Sequence, residues 1–166
     1  MSLRRGARRC GRAVAATATL LAGCGFHLQG HTPLPAVVKT PYLEAPDRQS
    51  DFIQSLRHNL VTSGAHLAQQ KGDASAVVSI LKDNVTRRVL AVSTTNQPVE
   101  YEVTYTVAFA VNAAGKELLP AQEVSATRTY SFNESLLLAK GHEEDVLRQD
   151  MARDLADEVT RRLSSL

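Results

Sequence analysis

The most regular stretch of the chain alternates strictly. Val99, Tyr101, Val103, Tyr105, Val107, Phe109 and Val111 are interleaved with Glu100, Glu102, Thr104, Thr106, Ala108, Ala110 and Asn112. Successive side chains of a strand point to opposite faces, so this period predicts one long strand with a single face in a core. Asn112 to Lys116, with Gly115, predicts a hairpin turn. A return strand is expected from Gln122 to Phe132, with Val124, Ala126, Arg128, Tyr130 and Phe132 on one side and Ser125, Thr127, Thr129 and Ser131 on the other. Upstream, Ser75 to Val92 is rich in Val, Ile and Leu but too long for an unbroken strand, and a bulge is expected near Asp83 and Asn84. A short first strand is expected over Val37 to Leu43, ending near Pro46.

Two segments change period. Phe52, Ile53, Leu56, Leu60 and Val61 recur at helical spacing, with Ser50 or Asp47 as a cap and Gly64 as a terminator. Leu147, Met151, Leu155, Val159 and Leu163 form the apolar stripe of a long amphipathic helix from Glu143 to Leu163. Glu143, Glu144 and Asp145 then fall in its first turn and Arg161 and Arg162 in its last, as the helix dipole favours. The order β-α-β-β-β-α predicts an α+β domain: one mostly antiparallel four-stranded sheet with two helices packed on one face.

The N-terminus follows a different pattern. Arg4, Arg5, Arg8, Arg9 and Arg12 precede an apolar run that ends in Leu21-Ala22-Gly23-Cys24. Positive residues, a short apolar run and small residues before a cysteine are the parts of a bacterial lipoprotein leader. Only 11 residues separate Arg12 from Cys24, too few to span a bilayer, which takes about 18 or more. Residues 1–23 are therefore expected to be cleaved, Cys24 to carry covalent lipid, residues 24–35 to form a tether, and residues 36–166 to fold. Stable anchoring takes more than one acyl chain.

Cleavage changes the charge. The leader holds five arginines and no acid, so its loss takes the formal charge from +2 to −3. A mildly acidic domain lacks the field that draws a protein to nucleic acid. The 143 residues that remain suffice for one domain stabilised by packing, and with Cys10 removed and Cys24 modified no disulfide is expected.

Catalytic chemistry is weakly represented. His27, His31, His58, His66 and His142 lack the spacing of a zinc site, and no serine sits in a G-x-S-x-G elbow. Neither an enzyme nor a metal or diffusible cofactor is expected. The positions that suit an anion are Arg128, placed by the alternation among apolar neighbours, Arg87 and Arg88 near the end of the second strand, and Lys140 in the loop before the last helix. The threonine- and serine-rich side of the sheet suits either water or the inside of a polar cavity.

Three blocks together resemble one family: Cys24-Gly25-Phe26-His27-Leu28, the stretch Val99 to Val107, and Leu138-Ala139-Lys140 before a charged helix ending Arg161-Arg162-Leu163. The chain resembles LptE, the lipopolysaccharide-assembly lipoproteins, across its mature length. The resemblance implies an outer-membrane lipoprotein, sorted there with Gly25 after the acylated cysteine. It also implies a large β-barrel partner, LptD, whose lumen the lipoprotein plugs and whose assembly it assists, and binding of lipopolysaccharide during insertion into the outer leaflet. Lys140 matches a basic site of the family towards lipopolysaccharide, and Arg128 a basic residue of the return strand. At the hairpin between the second and third strands, Ser93 to Pro98 carries Thr94 and no charge, which shifts the expected site to Lys140, alone or with Arg128. The competing expectation is an envelope-tethered binding or scaffold lipoprotein with another partner.

Overall fold

The computed structural model describes residues 33–131 and 137–166, with side chains of the last helix described from residue 143 onward. The leader, Cys24 and Phe132 lie outside the described residues, as does the Lys140 side chain. Four strands, β1 (Pro41–Glu44), β2 (Ala76–Val92), β3 (Pro98–Ala113) and β4 (Lys116–Ser131), and two helices, α1 (Asp51–Thr62) and α2 (Leu137–Ser164), follow in the order β-α-β-β-β-α. The sheet order is β1-β2-β3-β4. β1 runs parallel to β2, as a strand-helix-strand crossover requires, and the other pairings are antiparallel.

Both helix ends of α1 are fixed locally. The Ser50 hydroxyl accepts from the Ile53 amide at 3.2 Å, leaving one fewer orphan donor in the first turn. At the other end Gly64 takes φ +88°, while the Ala65 and Gly64 amides donate back to the Leu60 and Val61 carbonyls. These two bonds form a Schellman motif, whose left-handed residue is nearly free of cost only for glycine.

β3 supplies the floor of the core. Val103, Tyr105, Val107, Phe109 and Val111 are buried along one of its faces, against Phe52, Ile53, Leu56 and Leu60 of α1 and Met151, Leu155, Val159 and Leu163 of α2. The helices are also tied to each other, through Asn59 to Asp157 at 2.7 Å and Arg148 to Asp51 at 3.0 Å.

Several boundaries differ from the sequence-based expectation, each for a physical reason. Val37 is not strand: Ala36–Val38 forms a 3-10 turn in which the Val38 amide donates to Pro35, burying Val38, and β1 begins only at Pro41. β4 begins at Lys116 rather than Gln122, because Ala114 and Gly115 (φ 49° and 75°) make a tight two-residue turn that leads straight into pairing. Pro120 is accommodated because β4 is an edge strand and the register shifts there, with Leu119 opposite Val111 and Gln122 opposite Phe109. The last helix starts at Leu137, two turns early, since Leu, Ala and Lys are good helix formers. Lys140 is consequently in the helix and not in a preceding loop, and Glu143, Glu144 and Asp145 lie beyond the first turn, so the dipole does not account for them.

The most consequential difference is in β2. The bulge falls at Leu81, where the partners step from Ile80–Phe109 to Lys82–Ala108. One extra residue inverts the faces of everything after it. Even-numbered Ala76, Val78 and Ile80 face the core before Leu81, and odd-numbered Asp83, Val85, Arg87 and Val89 share the helix-side face after it.

Candidate ligand-binding and docking surfaces

The four basic positions singled out from the sequence separate in space. Register places Arg87 opposite Val103 and Val103 opposite Arg128, so both arginines lie on the helix side of the sheet. Arg88 pairs with Glu102 across the strands on the other side, at 2.6 and 3.2 Å. Lys140 belongs to the first turn of α2, one turn before Glu144.

Arg128 is exposed, although its alternation partners Val124 and Tyr130 are buried. β4 is the edge strand, so the stem can lie on the sheet while the head reaches out. Its guanidinium donates to Asp154 of α2 at 2.8 Å and to the Thr127 carbonyl at 3.1 Å. With Asp154, Glu158 and Arg162 it lines a shallow groove between β4 and α2. Signs are mixed in that groove, so Arg128 serves first as a strut between strand and helix.

Arg87 has different surroundings. Its guanidinium carbon lies 4.8 Å from the centre of the Tyr101 ring, a cation–π distance, and Tyr101 stacks on Tyr130 at 5.6 Å. One carboxylate oxygen of Glu144 accepts from Arg87 at 2.8 Å and from the Tyr130 hydroxyl at 2.6 Å. Tyr130 and Glu144 together hold the guanidinium above its ordinary pKa, while burial, reinforced by Glu144, pushes the Tyr130 hydroxyl up. Three strands and α2 therefore meet in one polar-aromatic cluster.

Tyr105 anchors the sheet one row further in. Its hydroxyl donates to Asp83 at 2.8 Å, and the other Asp83 oxygen accepts from the Ser50 hydroxyl at 2.5 Å. Burial, then the neighbouring Asp83 carboxylate, raises the Tyr105 pKa. The residue that the Leu81 bulge turns inward thus joins the cap of α1 to the core.

The opposite face of the sheet is polar. Thr104 and Thr127 hydroxyls meet at 3.3 Å, and Ser125 and Thr129 are exposed beside them. It carries charge as well, in the pairs Lys82–Glu123 at 3.3 Å and Arg88–Glu102. No helix of the described residues packs on this side.

The LptE profile, described as lipopolysaccharide-assembly, matches residues 38–163, from the 3-10 turn to the end of α2. The chain belongs to the LptE family. The LPS-assembly lipoprotein LptE of Pectobacterium atrosepticum is 28% identical over 149 residues, covering 89% of this chain and 80% of that protein. The namesake in Yersinia pestis is 29% identical over 151 residues, covering 86% and 69%. Among solved structures, an uncharacterized lipoprotein B from Nitrosomonas europaea superimposes with a TM-score of 0.71 at 28% identity, covering 85% of this chain and 91% of that one. A minor lipoprotein from Acinetobacter baumannii gives 0.65 at 25% identity, covering 79% and 94%. The LptE match spans the sheet and both helices, so the surfaces described above lie within the matched region rather than in an appended segment.

Glu144, Tyr101 and Tyr130 were not singled out from the sequence. The one available signal was that Glu144 stands three residues before Leu147 on the apolar stripe, where a carboxylate breaks the pattern. The bulge expected near Asp83 and Asn84 already lay before residue 87; what sequence spacing did not hold was the crossing of α2 that brings Glu144 to Arg87.

Proposed function

We propose that this protein is an outer-membrane lipoprotein, anchored by lipid on Cys24 after removal of residues 1–23. In this reading it plugs an LptD-like β-barrel, assists that barrel's assembly, and binds lipopolysaccharide on its way to the outer leaflet. A part in lipopolysaccharide assembly follows from membership of the LptE family, and the match over residues 38–163 carries the reading. Physical features favour the finer statement. A single sheet with both helices on one side leaves a broad threonine- and serine-rich face, on which Lys82 pairs with Glu123 and Arg88 with Glu102 across the strands. Such a face loses little on entering a polar lumen. Sharing one membrane with the barrel through the lipid raises the effective concentration of each partner for the other.

Lys140, with Arg128 as the lesser contributor, is assigned to the lipopolysaccharide phosphates. Arg88 is held by Glu102 on the open face and is given a role in docking. No metal or cofactor enters this scheme, and the role requires no catalysis.

Detergent extraction of native membranes followed by purification of the tagged protein tests the docking. Copurification of a large β-barrel is expected; recovery without one, or with an unrelated protein in its place, overturns the plug in favour of a general scaffold. Lys140→Asp is expected to weaken binding of purified lipopolysaccharide while the circular dichroism spectrum stays native. Unchanged binding removes Lys140 from the site.

A further inference from the structure

Glu144 occupies a position that a phosphate would suit. Its oxygen sits between a guanidinium and a phenol hydroxyl, at 2.8 and 2.6 Å, and two such donors converging on one point suit any oxyanion. The cluster is also open to solution, since the Arg87 side chain is 50% exposed and that of Glu144 35%. An ion pair this exposed gains little net energy, because water and salt screen it and two side chains must be ordered. A ligand bearing more negative charge than one carboxylate can therefore take its place.

The surroundings indicate what that ligand carries besides phosphate. Val85 and Val89 flank Arg87 at two-residue spacing on the same face of β2, and both are exposed, at 37% and 47%. The outer edge of β2 is open here, since β1 pairs only with Ala76 to Ser79. An anionic group on Arg87 with hydrocarbon on the two valines matches an amphiphile, not a free ion.

We propose that Arg87, with Tyr130, is a binding site for the phosphate monoester of a lipid, and that Glu144 is its resident competitor, displaced when the lipid binds. This rests on the reading above only in the class of ligand, a phosphorylated lipid. The site and the competition stand on the cluster itself.

The test uses the full chain and two soluble probes, dihexanoyl phosphatidic acid below its micelle concentration and inorganic phosphate. Binding is followed by chemical-shift changes in 15N-labelled protein. Glu144→Gln keeps the size of the side chain and its acceptor for Tyr130 but removes the competing charge, so it should tighten phosphatidic acid binding about tenfold. Arg87→Gln should abolish binding at this site, and the double variant should not recover the gain. Tyr130→Phe, which frees Glu144 from one donor while leaving Arg87 intact, should fall between wild type and Arg87→Gln. Inorganic phosphate should bind more weakly than phosphatidic acid and show the same order of variants.

Equal affinity in wild type and Glu144→Gln overturns the competition, and a gain that survives in the double variant overturns Arg87 as the site. Equal affinity for the two probes overturns the lipid and leaves a simple anion site. Neither probe contains sugar or needs the barrel, so failure of copurification leaves these outcomes unchanged, and a negative result here leaves the plug standing.

Discussion

The two ends of the sheet are held by different forces. At the end shared by β1, Val78, Ile80, Phe109 and Val111 are buried in the core that both helices cover. At the other end Val85, Val89, Leu90, Val92 and Val99 are exposed, and α2 is held down by Arg87, Tyr130 and Glu144. Apolar burial of order 25 cal/mol per Å2 makes the first end rigid. Exposed ion pairs make the second end exchangeable. A fold without cysteines in its sheet or helices that exchanges the ligand proposed above can assign stability and exchange to opposite ends of one sheet.

The contrast is most severely tested at Phe109. It is fully buried at the dry end, so Phe109→Ala should cost about 3–5 kcal/mol of stability in urea denaturation; a loss below about 1 kcal/mol would mean that the core is not where the stability lies. Ser50→Ala removes both the α1 cap and the hydroxyl that satisfies Asp83, and a loss of about 1–2 kcal/mol is expected by the same measurement.

Tyr105 marks the boundary between the two ends and brings in pH. Its folded pKa is raised, so the stability it contributes is fully present below about pH 10, the unfolded value, and is lost as pH rises towards the folded one. Urea midpoints should therefore fall as pH rises above about 10, and Tyr105→Phe should flatten that fall while costing about 1 kcal/mol at neutral pH for the lost hydrogen bond. An unchanged slope in the variant would place the alkaline loss elsewhere. The smallest effect belongs to Arg128→Ala, which breaks an exposed pair with Asp154 and should change stability by less than about 1 kcal/mol. A larger loss would show that the strut between β4 and α2 is part of the core.

Much of this architecture was legible because its signals are local. The alternation from Val99 to Val111 reports a strand with one wet face whatever it pairs with, and burial along β3 follows it from Val103 to Phe109, while Val99 at the open end is exposed. Ser50 and Gly64 bound α1 through contacts within four or five residues, which sequence spacing captures. The candidate site was less legible. Arg128 was placed on the correct face, yet only the position of β4 at the edge explains how its charge stays in water.

Composition and period determined the class of fold, the order of its elements and most of its core, though Val61 and Val99, on the apolar stripes of α1 and β3, are exposed in the fold. Pairing alone decided where the bulge of β2 falls, at Leu81 rather than near Asp83 and Asn84, and with it the inward turn of Asp83. The extra residue at Leu81 exists only relative to β3, and a shift of one position there exchanges the two faces of the rest of the strand. The meeting of Arg87 with Glu144, 57 residues apart, follows from that exchange and from the line along which α2 crosses the sheet.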